Sequence, residues 1–318
     1  MRLKFWGTRG SIPVSMTAGL MRAKLRKILQ LAAAQPIHTD AEADVFLDSL
    51  DFGLGGTYGG HSSCVQIITD LPEHFILDLG TGVRPLGQSM LERFGPQQPQ
   101  TYHIFLSHLH WDHIMGFPFF APVYIPGNQV VIHTCHANAE YALRRQQDSP
   151  SFPVPFDQLG ADIRFDVLTP GQTYEIAGLT VSALLQHHVG DSYGWRFERG
   201  GKRVVYSTDS EHQLGDDEAR RGVVAFFKSA DAVIFDAMYS LADAISVKAD
   251  WGHSSNIVGV ELCQEAKAMR LVLFHHEPAS DDSQLQTVLN DTRRLEAATR
   301  DGHAVQVLAA WDGFELAL

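Results

Sequence analysis

Short runs of apolar and β-branched residues recur along the whole chain. They fall at residues 3–6, 64–69, 75–79, 104–107, 130–134, 179–186, 193–197, 203–207, 233–236, 271–275 and 304–308. Most span four to eight residues, the length of strands. Glu198-Arg-Gly-Gly201 separates two of them and reads as a hairpin turn. Other segments carry apolar residues at three- and four-residue spacing, which predicts helices over 85–94, 216–229, 254–268 and 281–299. In the third of these, Ile257, Val260, Cys263 and Ala266 suggest one buried face. Strands come first, then a mixture, then strand–helix–strand. That order predicts a β-rich, layered α/β domain and not a doubly wound parallel sheet.

One segment breaks the strand-rich pattern. Residues 18–34 are helical, with Leu25, Ile28, Leu29 and Ala32 along one stripe. Thr39-Asp-Ala-Glu42 matches a capping box and opens a second short helix through Phe46 and Leu50. Residues 14–56 thus read as a two-helix insertion within one domain spanning 1–318. Its use stays open between core cover, a dimerisation element (a homodimer being expected) and a lid over a pocket. Arg22, Lys24, Arg26 and Lys27 on it either meet a small anionic substrate or form a solvated face.

Composition narrows the function. The 318 residues carry a net charge of −12, which argues against gripping long nucleic acid or anionic membrane over a broad surface. The N-terminus does not read as a signal peptide, and no apolar run nears the ~20 residues of a membrane span, so the cytoplasm is expected. Three cysteines, Cys64, Cys135 and Cys263, are too scattered for a disulfide framework or thiolate site. Sixteen histidines, however, call for a reason.

The reason begins at Ser107-His-Leu-His-Trp-Asp-His113, which ends a strand. His108 and His110 are two apart, so extended backbone puts both on one face. Asp112 and His113 follow as the chain turns, offering a second pair of donors. Further donors stand at the ends of later strands: Gln186-His-His-Val-Gly190, Ser207-Thr-Asp209 and Phe274-His-His-Glu277.

This constellation resembles the metallo-β-lactamase-fold hydrolases, over nearly the whole chain except the insertion. Trp6-Gly-Thr-Arg-Gly-Ser-Ile-Pro13, Ile76-Leu-Asp-Leu-Gly-Thr-Gly82, Ser207-Thr-Asp209 and Leu271-Val-Leu-Phe-His-His276 look like its phosphodiesterase and tRNA-processing branch. The resemblance implies an αββα four-layer sandwich of two pseudo-symmetric halves, with two divalent metal ions at one edge. Zinc comes first among these, and manganese and iron also suit imidazole and carboxylate donors. One ion would take His108, His110 and His187 or His188, with His188 favoured by the glycines after it. The other would take Asp112, His113 and His275, with His276 as the alternative. Asp209 would bridge the two, and Asp78 would be no ligand but would fix the metal loop through hydrogen bonds.

By the same resemblance, a metal-bridged hydroxide attacks, with Asp112 and Asp209 in the catalytic set. Trp251-Gly-His-Ser-Ser255 looks like the motif whose histidine protonates the leaving oxygen, which makes His253 the general acid. Thr8, Arg9 and Ser254 are expected to meet the substrate phosphate, Ser254 from a helix start. No cysteine matches the β-lactam branch, and the diiron flavoprotein branch typically has a carboxylate where His110 stands. The expected activity is hydrolysis of a small phosphodiester, cyclic nucleotides first, because the long Gly- and Lys-rich arm of tRNA processing is missing. Trp111, Phe117, Phe119, Phe120 and Tyr124 would stack a base or fill the core. The alternatives are a thioester or acyl hydrolase of the glyoxalase type, or a non-catalytic metal-stabilised sensor.

Overall fold

The computed structural model describes residues 1–212, 217–238 and 253–318. Their strands form two seven-stranded sheets. The first holds β1 (Arg2–Gly7), β2 (Cys64–Ile68), β3 (His74–Leu77), β4 (Thr101–Phe105), β5 (Gln129–Thr134) and β6 (Asp162–Val167) side by side, with the C-terminal β14 (Glu315–Ala317) outside β1. The second runs in order from β7 (Thr173–Ile176) through β8 (Leu179–Gln186), β9 (Ser192–Arg199), β10 (Lys202–Ser207), β11 (Ala232–Asp236) and β12 (Arg270–Phe274) to β13 (Gln306–Ala309). Each sheet starts with three antiparallel pairings and continues with three parallel ones. The two halves therefore repeat one plan.

Side-chain alternation divides each central strand between two cores. Phe105, Trp195, Phe197, Ile234 and Phe274 point between the sheets. Their neighbours Ile104, Phe235 and Leu273 point outward under helices. The first sheet is covered by α4 (Val83–Phe94), α5 (Trp111–Ile114) and α6 (Ala139–Gln146). The second is covered by α7 (Asp217–Phe227), α8 (Asn256–Glu265) and α9 (Asp282–Thr299). The result is an αββα sandwich whose central parallel strands are apolar on both faces, as their unbroken apolar runs require. The expected hairpin is present: Arg199 pairs with Lys202 across Gly200 and Gly201, both at positive φ.

The strands that hydrophobic pattern does not reveal are β6, β7 and β14. All three lie at sheet edges, half in water, where polar residues such as Arg164 and Asp166 interrupt the apolar signal. The insertion holds α1 (Ala18–Ala32) and α2 (Asp40–Asp48), the latter opened by the expected capping box, plus the single turn α3 (Phe52–Gly55) that periodicity cannot show. Core cover is not the role of α1, because none of its residues is buried. Its Lys24 is tied to Asp282 at 2.6 Å and to the Gly56 carbonyl. No described helix is long and apolar enough to cross a membrane.

Among the described residues Trp195 is the largest fully buried side chain, and its indole N–H donates to the Leu106 carbonyl at 3.1 Å. Trp195→Ala should cost about 3–5 kcal/mol by the usual toll of an aromatic cavity, read from denaturant midpoints.

Candidate metal centre

The parallel strands of both sheets end at one edge, and the chain turns there sharply. Asp78, Asp209 and His275 each follow a strand at positive φ, at 58°, 45° and 58°. Non-glycine residues hold this conformation only where their surroundings over-determine it. Close backbone approach supports the turns. A Cβ on Gly116, just after the histidine loop, would stand 2.1 Å from the Gly80 carbonyl oxygen, so only glycine lets the two loops meet.

Asp78 organises the first loop from full burial. It accepts from the Ser107 N–H and hydroxyl at 2.7 Å each, from His113 Nδ1 at 2.7 Å, and from the Tyr206 hydroxyl at 2.8 Å. The Ser107 oxygen, its proton committed, accepts from His108 Nδ1 at 3.0 Å. Both rings thereby keep their Nε2 lone pairs for the cleft. Tyr206 and Ser107 are positioning residues that motif reading missed, because neither residue type signals chemistry by itself.

Two donor sets converge, each with its ligand atoms within 4.8 Å of one another: His108, His110, His188 and Asp209, and Asp112, His113, Asp209 and His275. Asp209 faces both. Its Oδ2 lies 3.6 Å from His108 Nε2 and 3.8 Å from His188 Nε2, and its Oδ1 lies 3.1 Å from His113 Nε2 and 3.2 Å from His275 Nε2. His275 Nε2 is also 3.1 Å from Asp112 Oδ2. Among the histidine pairs, the geometry selects the first set's His188 over exposed His187. It likewise selects His275 over His276, whose Nε2 faces the Ala310 carbonyl at 2.8 Å.

The electrostatics suit cations. Burial drives His108 well below the ordinary histidine range, leaving a neutral ring. Its Nε2 is buried with no hydrogen-bond partner. Burial would raise Asp209, but His113, His275 and His108 hold it ionised, well below the usual carboxylate range. Burial would lower His113, yet Asp209, Asp112 and Asp78 outweigh it and raise it well above the ordinary value, so a proton holds its Nε2 wherever a cation does not take its place. Carboxylates gathered around convergent imidazole nitrogens call for positive charge, and the His–Asp donor chemistry fits divalent ions.

His253 lies at the same edge, its ring 5.3 Å from that of His188 and 5.1 Å from that of His275. Its Nδ1 meets Asp236 Oδ2 at 2.8 Å. Asp236 was not singled out from sequence, although it ends an apolar strand just as Asp209 nearly does. Burial alone would lower His253, but the Asp236 carboxylate prevails and raises its pKa to about 9. Asp236, His253 and His275 also converge as a third group. His275 directs Nε2 at the shared carboxylates, while its Nδ1 lies 3.9 Å from Asp236. Trp251 and Gly252 of the motif lie outside the described residues.

The residues expected at the phosphate are placed differently. The buried Thr8 hydroxyl donates to the Tyr58 carbonyl at 3.1 Å, and Arg9 spends its guanidinium on the carbonyls of Gly59, Glu277 and Ser280. The buried Ser254 hydroxyl donates to the Ser210 carbonyl at 2.5 Å. All three brace loops behind the cleft, because their polar atoms satisfy buried carbonyls that would otherwise lack donors.

Asp78→Asn keeps the shape but weakens the charged hydrogen bonds that orient both rings. Metal affinity should drop about 10–100-fold, measured by competition with a chelator, with the fold retained by circular dichroism.

Sequence comparison agrees with the fold. The beta-lactamase superfamily domain matches residues 75–276. The chain is similar to a ribonuclease Z of Crocosphaera subtropica, 22% identical over a match that covers 74% of this chain and 87% of that one. In structure it is similar to the metallo-beta-lactamase fold protein YhfI from Bacillus subtilis, with a TM-score of 0.63 and 17% identity over 99% of this chain and 97% of the other. It is also similar to a diphosphatase of the PhnP family, with a TM-score of 0.59 and 16% identity over 100% and 97% of the two chains. On the family match, and with the strand order and donor residues described above, the chain belongs to the beta-lactamase superfamily.

Proposed function

We propose that the chain is a metal-dependent phosphodiesterase acting on small phosphodiesters, cyclic nucleotides first. The carrying observation is Asp209, a buried carboxylate with one oxygen turned to each donor set. In this reading His108, His110, His188 and Asp209 hold one divalent ion, and Asp112, His113, Asp209 and His275 the other, zinc first and manganese or iron next. Two ions bound there would polarise the phosphoryl oxygens and lower the pKa of a water nucleophile.

The protein's own groups supply the rest. Asp112 stays ionised, and its Oδ2 accepts the Ser11 N–H at 2.8 Å, which fixes the carboxylate toward the cleft. His253 holds a proton through its pairing with Asp236 and is the general acid for the leaving alkoxide. When a thioester's C–S bond breaks, the thiol part departs as a stabilised thiolate and has no need of that proton, so the buried acid favours a phosphodiester over the acyl alternative. The acidic surface, and the pairing of Lys24 with Asp282, favour a small ester over a long polyanion. The homodimer expected from sequence has its candidate surface on α1, which leaves Leu25 and Leu29 in water.

Elemental analysis with turnover of bis(p-nitrophenyl) phosphate, cyclic nucleotides and a tRNA precursor tests the reading. Fewer than one metal per chain after supplementation would end the two-metal proposal, and cleavage of the precursor alone would end the small-substrate one. Asp209→Ala should abolish turnover and lower metal content together.

His253→Ala should slow alkoxide-leaving substrates by about 10²–10⁴-fold, with a smaller loss for the p-nitrophenyl ester, whose leaving group needs no proton. Asp236→Asn removes the carboxylate that raises His253. The basic limb of the kcat/KM profile should therefore move to lower pH, and an unmoved limb would remove His253 from the role.

A further inference from the structure

Three large apolar side chains left in water adjoin the donor sets. Trp111, 77% exposed, stands between His110 and Asp112. Val189, 70% exposed, follows His188, and a Cβ built on the next residue, Gly190, would lie 3.6 Å from His110 Nε2. Ile12, 58% exposed, follows Ser11, whose N–H donates to Asp112 Oδ2. In the same turn, Gly10 packs so closely on His275 that a Cβ would stand 2.6 Å from the ring. Loops from both halves thus bring the donors together, and each carries one exposed apolar side chain beside them in the chain.

Packing does not account for them. Phe117 and Phe120, a few residues beyond Trp111, are fully buried, while the indole is not. An aromatic ring in water forgoes the burial that makes it stabilising elsewhere, and regains it when a flat partner covers it. The geometry points to an aromatic subsite in which Trp111 is the platform for the base or aryl ring of a phosphoester whose phosphate meets the donor sets. This assignment rests on the phosphodiesterase reading and adds the part of the substrate that is not phosphate.

The test uses the metal-loaded full chain and two ligand pairs. Binding of AMP and of ribose 5-phosphate is measured by calorimetry; turnover of cyclic AMP is compared with that of the same cyclic ribose phosphate lacking its base. AMP should bind about tenfold more tightly than ribose 5-phosphate, the scale of one base stacked on one aromatic ring. Trp111→Ala should erase that preference, Trp111→Phe should restore most of it, and the loss in turnover should fall on KM and not on kcat. Equal affinity of the wild type for both ligands, no AMP binding, or a base preference unchanged in Trp111→Ala would overturn the assignment. Base-dependent binding without turnover of any phosphodiester would keep the subsite and sink the reaction; turnover without base preference would do the reverse.

Discussion

A fully buried carboxylate must find donors for both oxygens or unfold its surroundings, and Asp78 meets that demand in a way that determines the site. Its donors come from the histidine loop and, through Tyr206, from the opposite sheet. One side chain thus fixes the turn after β3, the start of the histidine loop, the tautomers of two rings and the register between the halves. Gly80 and Gly116 make the contact possible by removing the side chains that would hold the loops apart.

Charge follows from the same enclosure. Carboxylates and imidazoles at this edge are withdrawn from water, where like groups would repel or lose their protons singly. They are compatible only when positive charge lies among them. The chain is acidic overall, so bound divalent ions would make this edge a local exception and attract a compact anion.

Much of this was legible in the order of residues. The buried parallel strands announce themselves as apolar runs, and donors spaced two apart after a strand must share a face. His188 and His275 could be favoured over their neighbours only by resemblance; space separates them, because His187 is left in water and His276 spends its Nε2 on the Ala310 carbonyl. Asp236 carried the same signal as Asp209, an acid at a strand's end, but without a nearby motif to draw notice. Thr8 and Arg9 show the converse failure. Polar residues beside a site look like substrate contacts until the carbonyls they satisfy are visible. The edge strands β6, β7 and β14 escaped because half-solvated strands need no continuous apolar run.

The matching strand order of the two sheets has a consequence for how this molecule can fail. Neither half owns a complete donor set: His108, His110, Asp112 and His113 come from the first, and His188, Asp209 and His275 from the second. The site is a seam. Its dimensions are set by how Phe105, Trp195, Phe197 and Phe274 pack between the sheets directly beneath it. A repacking that slid one sheet against the other by an ångström would leave every strand intact and every donor in its own loop. The seam would nonetheless open, so the sandwich core acts as the gauge that spaces the chemistry.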